Sequence, residues 1–327
     1  MVIMTIHQPS SRLFYMSHKV LLLSEGNPLY FGECSGVIGH FSRLGFAPSV
    51  AMNPADFLLD LANGVSTTDD SQENHTDIKQ ILMIAQVLIL AILSGLLWWQ
   101  SDITNLQDQI GLLYFTSCIW GFYPVFEAIF TFPQERMMLE KERLAGMYRL
   151  SSFFMALTLG DLQMVLILPT IFYAIIYWMG GLKPMPGPFL LGLLAILLGV
   201  LCAQGLGLAI GAVAMDAKLA NAFGSVTVLV FQLASGFFVQ KSPWFIGWIK
   251  YVSIIQYTYK LLLGTQYWPG ETYPCGGDGN CLVEEFSSVK AIGLDGQGVC
   301  VAALVLMLVG YRVIAYLALT RIGIMKT

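Results

Sequence analysis

Six apolar runs, each near the length of a bilayer-crossing helix, decide what this chain can fold into: 81–99, 110–132, 153–179, 189–214, 219–239 and 299–319. A hydrocarbon core takes about 20 helical residues to cross. Within it every backbone amide must be satisfied internally, which a helix does by itself. Charged residues make up only 12% of the 327 and hydrophobic ones 56%, against roughly 25% charged in soluble domains. With a formal net charge of −4 and thinly scattered Lys and Arg, the chain has no basic surface for nucleic acid, which is excluded as a partner. Membrane lipid is the expected surrounding.

Orientation follows from basic residues in the short loops. The 100–109 loop has none, whereas 133–152 carries Arg136, Lys141, Arg143 and Arg149, and the tail carries Arg321 and Lys326. Both termini are therefore expected in the cytoplasm, with Asp216 and Lys218 inside and 180–188 outside, despite Lys183. Residues 240–298 form a long external segment. Within it, 242–268 is apolar enough to span but dense in Trp244, Trp248, Tyr251, Tyr257, Tyr259, Tyr267 and Trp268. Such aromatics prefer the membrane boundary, so an interfacial or re-entrant helical pair is expected in place of a seventh span. Asn74-His75-Thr76 is the single glycosylation sequon, and this topology leaves it in the cytosol without sugar.

The cysteines bear on the same question. Cys275 and Cys281 flank a glycine-rich turn in the external segment, where oxidising conditions allow a disulfide. A local bridge is expected; two free thiols or a bridge to another subunit are the alternatives. Cys118, Cys202 and Cys300 lie in or beside spans, where thiols pack as small apolar groups.

Ahead of the spans, residues 1–6 read as a short strand stopped by His7-Gln8-Pro9. A hairpin follows about the turn 24–28, then a helix over 36–44, and a second helix over 56–62 opened by Asn53-Pro54-Ala55. This is the closing fragment of an α/β domain, too small to bury a full core alone. It contains no GxxxxGK[ST] phosphate cradle and no Gly-Lys pair anywhere.

Several phrases together are specific: Thr5-Ile6-His7-Gln8-Pro9-Ser10, Asn53-Pro54-Ala55-Asp56-Phe57, Gly111-Leu112-Leu113-Tyr114-Phe115, Thr131-Phe132-Pro133-Gln134-Glu135-Arg136, Gly146-Met147-Tyr148-Arg149-Leu150-Ser151-Ser152 and Gln204-Gly205-Leu206-Gly207-Leu208-Ala209. They resemble the plant ABC transporter G subfamily, the White-Brown half-transporters, over residues 1 to about 66 and again from about 81 to the end. The resemblance implies a mainly α fold: a six-helix ABC-2 type transmembrane domain (81–327), a shortened linker (66–80) and the C-terminal remnant of an α/β nucleotide-binding domain (1–65). It implies a homodimer, or a heterodimer with a full half-transporter, that uses ATP and Mg2+ and exports a hydrophobic or amphipathic metabolite such as a hormone or lipid across the plasma membrane.

Two departures qualify this. The family's Walker motifs and signature would precede residue 1, so the chain is expected to be truncated, to bind no nucleotide alone and to hydrolyse none. The basic amphipathic helix that usually joins the two domains is replaced by the polar run 66–80. A dominant-negative partner, passive channel or scaffold is the alternative reading. A membrane-bound enzyme has least support, because the spans hold no histidine and no metal-ligand cluster.

Site residues follow by the same resemblance. His7 matches the switch histidine that contacts the γ-phosphate; otherwise it is a hydrogen-bonded histidine at a strand end. The run Glu135, Arg136, Met137, Met138, Leu139, Glu140, Lys141, Glu142, Arg143 pairs its charges at helical spacing and offers its apolar triplet to a partner surface, which matches the coupling helix. A solvated loop is the alternative. Phe122 matches an aromatic clamp, and Phe237 with Phe238 an apolar plug, together lining the substrate path. Intramembrane charges are costly. Glu127, Asp161 and Arg312 lie at similar depths, roughly 9 to 14 Å by helical rise, and with Arg149 at the mouth are expected to form an ion-pair network. The alternative has Arg312 snorkelling alone.

Overall fold

Val20, Leu22 and Tyr30 turn inward while Leu21, Leu23 and Phe31 face out, a period of two that folds as an antiparallel hairpin. The computed structural model describes residues 14–24, 27–46, 53–62, 69–101, 105–133, 139, 149–160, 162–239, 243–268, 270–274 and 280–321, with backbone alone at 60, 69–79 and 280. Strand β1 (Lys19–Ser24) pairs with β2 (Asn27–Glu33) in the register Leu21↔Phe31, with a bulge between Leu22 and Leu23. Helices α1 (Val37–Arg43) and α2 (Pro54–Ala62) follow. Pro54 opens α2, where a missing N–H costs nothing, and the Asn53 side chain accepts from the Ala55 amide at 3.3 Å. Phe14, Leu22, Cys34, Val37, Phe41, Ala55, Phe57 and Leu58 close a small core. The hairpin and both helices lie where the sequence predicts them.

The chain divides into two compact units, Met1–Ala85 and Gln86–Thr327. Helix α3 (Asp69–Leu97) begins well before its apolar run, so the polar stretch expected as a linker is helical from residue 69.

Unit two is helical: α4 (Leu106–Ile129), α5 (Leu150–Gly160), α6 (Leu162–Met179), α7 (Pro186–Ala214), α8 (Ala217–Leu233), α9 (Ile254–Gln266), α10 (Ser287–Ile292) and α11 (Gln297–Arg321). Helix α7, without a charge over its 29 residues, is the axis: α4, α6, α8, α9 and α11 all pack on it. Glycine lets the partners close in. A Cβ on Gly211 would sit 2.5 Å from the Ile129 carbonyl oxygen, and one on Gly207 would strike the Val125 carbonyl. Met215 then adopts a left-handed φ of 49° as the helix stops, and the Asp216 carboxylate accepts from the amides of Lys218 and Leu219 at 2.9 and 3.0 Å, starting α8.

Five helical segments among the described residues are long and apolar enough to cross a membrane: Gln80–Leu97, Leu106–Pro133, Leu150–Met179, Pro186–Ala214 and Gln297–Arg321. The sixth expected run differs. It forms the shorter α8 and ends at Leu233 instead of near 239. The cause is local: Ser235 and Gly236 turn the chain, Gly236 at a φ of 90° that favours glycine. The 242–268 stretch is a helical pair, a 3-10 turn over Gly247–Val252 and then α9, neither long enough to span at ~1.5 Å per residue. Ser253 separates them, accepting from the Gln256 amide and donating to the Phe231 carbonyl at 3.0 Å. Beyond α9, strands β3 (Thr272–Pro274) and β4 (Asn280–Leu282) pair antiparallel as Tyr273↔Cys281. Cys281 is disulfide-bonded, while Cys34, Cys118, Cys202 and Cys300 are free.

Candidate functional site

On α4, Phe122 and Phe126 are one helical turn apart and therefore share a face. Their ring centroids are 4.4 Å apart with the planes tilted by 33°, and Phe122 is 45% exposed despite its apolar setting. Between them Pro124 sits inside the helix, and Tyr123 hydrogen-bonds the Glu127 carboxylate along the same helix.

A second aromatic group forms where α8 ends. Phe237 lies flat on Tyr114 of α4, centroids 4.3 Å apart and planes within 7°. Phe238 meets Tyr114 edge-on at 5.5 Å and is 63% exposed. Tyr259 from α9 closes the third side of Tyr114 at 5.3 Å.

Six hydroxyls of the membrane helices bond to their own backbones, whereas Thr158 and Tyr173 are buried without a hydrogen-bond partner among the described residues. Ser94, Thr116, Ser117, Thr170, Ser225 and Thr227 each donate to the carbonyl four residues earlier. A side chain bonded this way presents carbon to its surroundings. Arg312 of α11 finds a neutral partner: its guanidinium donates to Gln204 Oε1 on α7 at 3.3 Å. Arg149 is exposed, its carbonyl accepting from Ser152 and Phe153 as α5 begins.

The loop ahead of α5 shows one residue, and it corrects an expectation. Leu139, read as part of an outward-facing apolar triplet, is 2% exposed and packs against Phe132, Phe154, Leu208 and Leu319. Its side chain joins the bundle's own core because four apolar partners there outweigh an exposed position. His7, Glu135, Arg136, Met137, Met138, Glu140, Lys141, Glu142, Arg143, Asp161 and Cys275 lie outside the described residues.

At the opposite end of α4 a polar clasp closes the bundle. Lys183 pairs with Glu271 at 2.7 Å and lies over the Tyr267 ring; Tyr267 donates to Gln109 at 2.9 Å, and Gln109 donates to the Ser101 carbonyl at 2.6 Å. Burial, then the Glu271 carboxylate, pushes the Tyr267 phenol above its ordinary range, so it stays a neutral donor.

Holding phosphates takes a glycine-rich strand-to-helix turn with a lysine, whereas the β2 to α1 turn passes through Cys34, buried with its thiol donating to the Phe14 carbonyl at 3.0 Å. No group of three or more His, Cys, Asp or Glu among the described residues could hold a metal ion.

Sequence reasoning missed Tyr114, Phe126, Gln204 and Tyr259 as site residues. Gln204 had a usable signal: it is the single amide side chain in the charge-free α7, and a polar group there needs a partner.

Comparison with known proteins places this geometry in context. A family model described as ABC-2 type transporter matches residues 75–267, and another of the same description matches 7–90. The chain is 43% identical to ABC transporter G family member 14 of Arabidopsis thaliana over 390 aligned positions, covering 98% of this chain and 60% of the relative. It is 44% identical to member 21 (97% and 59%) and 40% identical to member 22 (99% and 53%) of the same plant. The chain thus spans about 60% of the first of these relatives. The alignment is longer than the chain's 327 residues, so that relative has internal residues this chain lacks. With helices that cross a membrane and an ABC-2 type model over more than half its length, the chain is an integral membrane protein that belongs to the plant ABC transporter G family and carries its ABC-2 type membrane domain.

Proposed function

We propose that this chain forms the membrane path of an ATP-driven exporter for a hydrophobic or amphipathic metabolite, such as a hormone or lipid. The observation that carries this reading is the exposure of the Phe122 and Phe238 rings, in spans where six hydroxyls bond their own helices. A path with carbon walls and aromatic rings solvates an apolar solute and offers nothing to replace the water around a polar one. Phe122 with Phe126 would grip a flat solute, and Phe237 with Phe238 would form the constriction above it.

The energy source is ATP with Mg2+ at the nucleotide-binding domain of a partner half-transporter, in a homodimer or heterodimer; no step of hydrolysis is assigned to residues of this chain. Residues 1–65 are read as the end of such a domain, with His7 as its switch histidine, and the segment around Leu139 as the coupling element. Glu127, Arg149, Asp161 and Arg312 are read as the charged set of the inner half. Six crossings are proposed, α8 completing the count with the turn that follows it, and both termini cytoplasmic at the plasma membrane. Trp244, 93% exposed, and Trp248 suit a lipid boundary. Cys275 is read as the partner of Cys281, supported by the β3–β4 register that brackets the turn between them.

The test is export from vesicles holding this chain with a full-length relative: ATP-dependent loss of an apolar fluorescent solute, cut at least several-fold by Phe122→Ala and Phe238→Ala, supports the reading. Transport independent of ATP would identify a passive channel. The missing internal residues favour one other outcome, a partner that pairs with an intact relative and silences it, seen as lower export as this chain is added.

A further inference from the structure

The aromatic pair at the end of α8 is not symmetric, and the cause lies on α4. The Tyr114 hydroxyl donates to the Gln232 carbonyl at 2.9 Å, and the same oxygen accepts from Ser235 Oγ at 2.6 Å. The two hydroxyls are 3.2 Å apart. Gln232 lies in the last turn of α8, where carbonyls have lost their regular helical donors; the Ser235 amide reaches this one only at 3.4 Å, and the tyrosine adds a shorter bond from a neighbouring helix. Ser235 is fully buried, and a Cβ on Gly236 would stand 2.9 Å from Ile292. The turn is therefore held on both sides. Just past it, the ring of the same Tyr114 takes Phe237 face to face, while Phe238 touches it only by an edge and stays mostly open.

We propose that Tyr114 is a positioning residue that fixes the turn after α8 through its hydroxyl and stores Phe237 against α4 through its ring, leaving Phe238 as the one ring of the pair presented to a passing solute. This rests on the reading of Phe237 and Phe238 as the constriction of an apolar path. The two halves of the tyrosine do separable work. The hydroxyl sets where α8 ends, and the ring sets which phenylalanine is free. Selection among flat apolar solutes at this level then depends first on residue 238.

The test is hydrogen exchange read by mass spectrometry on the full chain in lipid nanodiscs, comparing the native chain with Tyr114→Phe and Tyr114→Leu. Loss of one hydrogen bond of ordinary net strength predicts about a fivefold rise in exchange at residues 234–238 for Tyr114→Phe, with α7 and α9 unchanged. Tyr114→Leu should raise it further and should also expose Phe237, extending the rise in exchange to the residues around it. No change at 234–238, or a rise spread through the bundle, overturns the proposal. If the local rise appears but Phe238→Ala leaves export by the mixed dimer unchanged, the anchoring stands and the path reading fails.

Discussion

Tyr267, at the end of α9, donates its phenol to the side-chain oxygen of Gln109 on α4 across 2.9 Å, and both residues are buried. Removing the hydroxyl leaves a buried amide oxygen without that donor, a loss of about 1–3 kcal/mol. Tyr267→Phe should therefore lower the melting temperature in detergent by several degrees, followed by intrinsic fluorescence. The phenol titrates above its ordinary value of about 10 because of burial and then Glu271. Its contribution is complete below that pH and is lost only as pH climbs through the raised value; an identical difference between the two proteins at pH 6 and pH 9 is expected.

Helix α7 tolerates no side chain where it crosses α4. Gly211→Ala directs a methyl at the Ile129 carbonyl, and folded yield on size-exclusion chromatography should fall sharply. Gly310→Ala on α11, where a Cβ meets nothing within 4 Å, should leave the yield unchanged or improve it through helix propensity. Equal loss in both would locate the defect in insertion instead of packing.

Arg312 and Gln204 should behave as a pair. Gln204→Leu strands a half-buried guanidinium, and the yield of folded protein should drop; adding Arg312→Met to that variant should restore much of it, because the charge and its need vanish together. A double variant worse than the single one would show that Arg312 answers to another partner.

Topology can be read with sugar and thiols. Asn74 should carry no glycan when the chain is made in microsomes, whereas Glu285→Asn, which completes a sequon with Ser287, should gain one. After denaturation without reductant the chain should bind four maleimides, matching its four free thiols, and six after reduction, matching its cysteine content. A glycan on Asn74 would invert the proposed arrangement.

The long apolar helices and the hairpin of the first unit were legible because each rests on a periodicity that tertiary contacts do not alter. Pro54 after Asn53 marked a helix start for the same reason. The end of α8 was not legible. Residues 234–239 are about as apolar as what precedes them, so the turn that Ser235 and Gly236 make, to which Tyr114 from far away in sequence adds a hydrogen bond on Gln232, leaves no break in the hydropathy. Leu139 is buried in one core cluster with Phe132 and Phe154, near it in sequence, and with Leu208 and Leu319, far from it, a placement its charged neighbours in the sequence do not reveal. Arg312 invited a carboxylate on grounds of charge, and the structure gives it a neutral amide, a choice set by which side chain happens to face it across α7.

Pro124 has a mechanical meaning. Lacking an N–H, it leaves the Trp120 carbonyl without its rung in the helix ladder, so α4 is softest between its two paired phenylalanines. A wall that yields at that one place can change the angle between Phe122 and Phe126 without unwinding at either end.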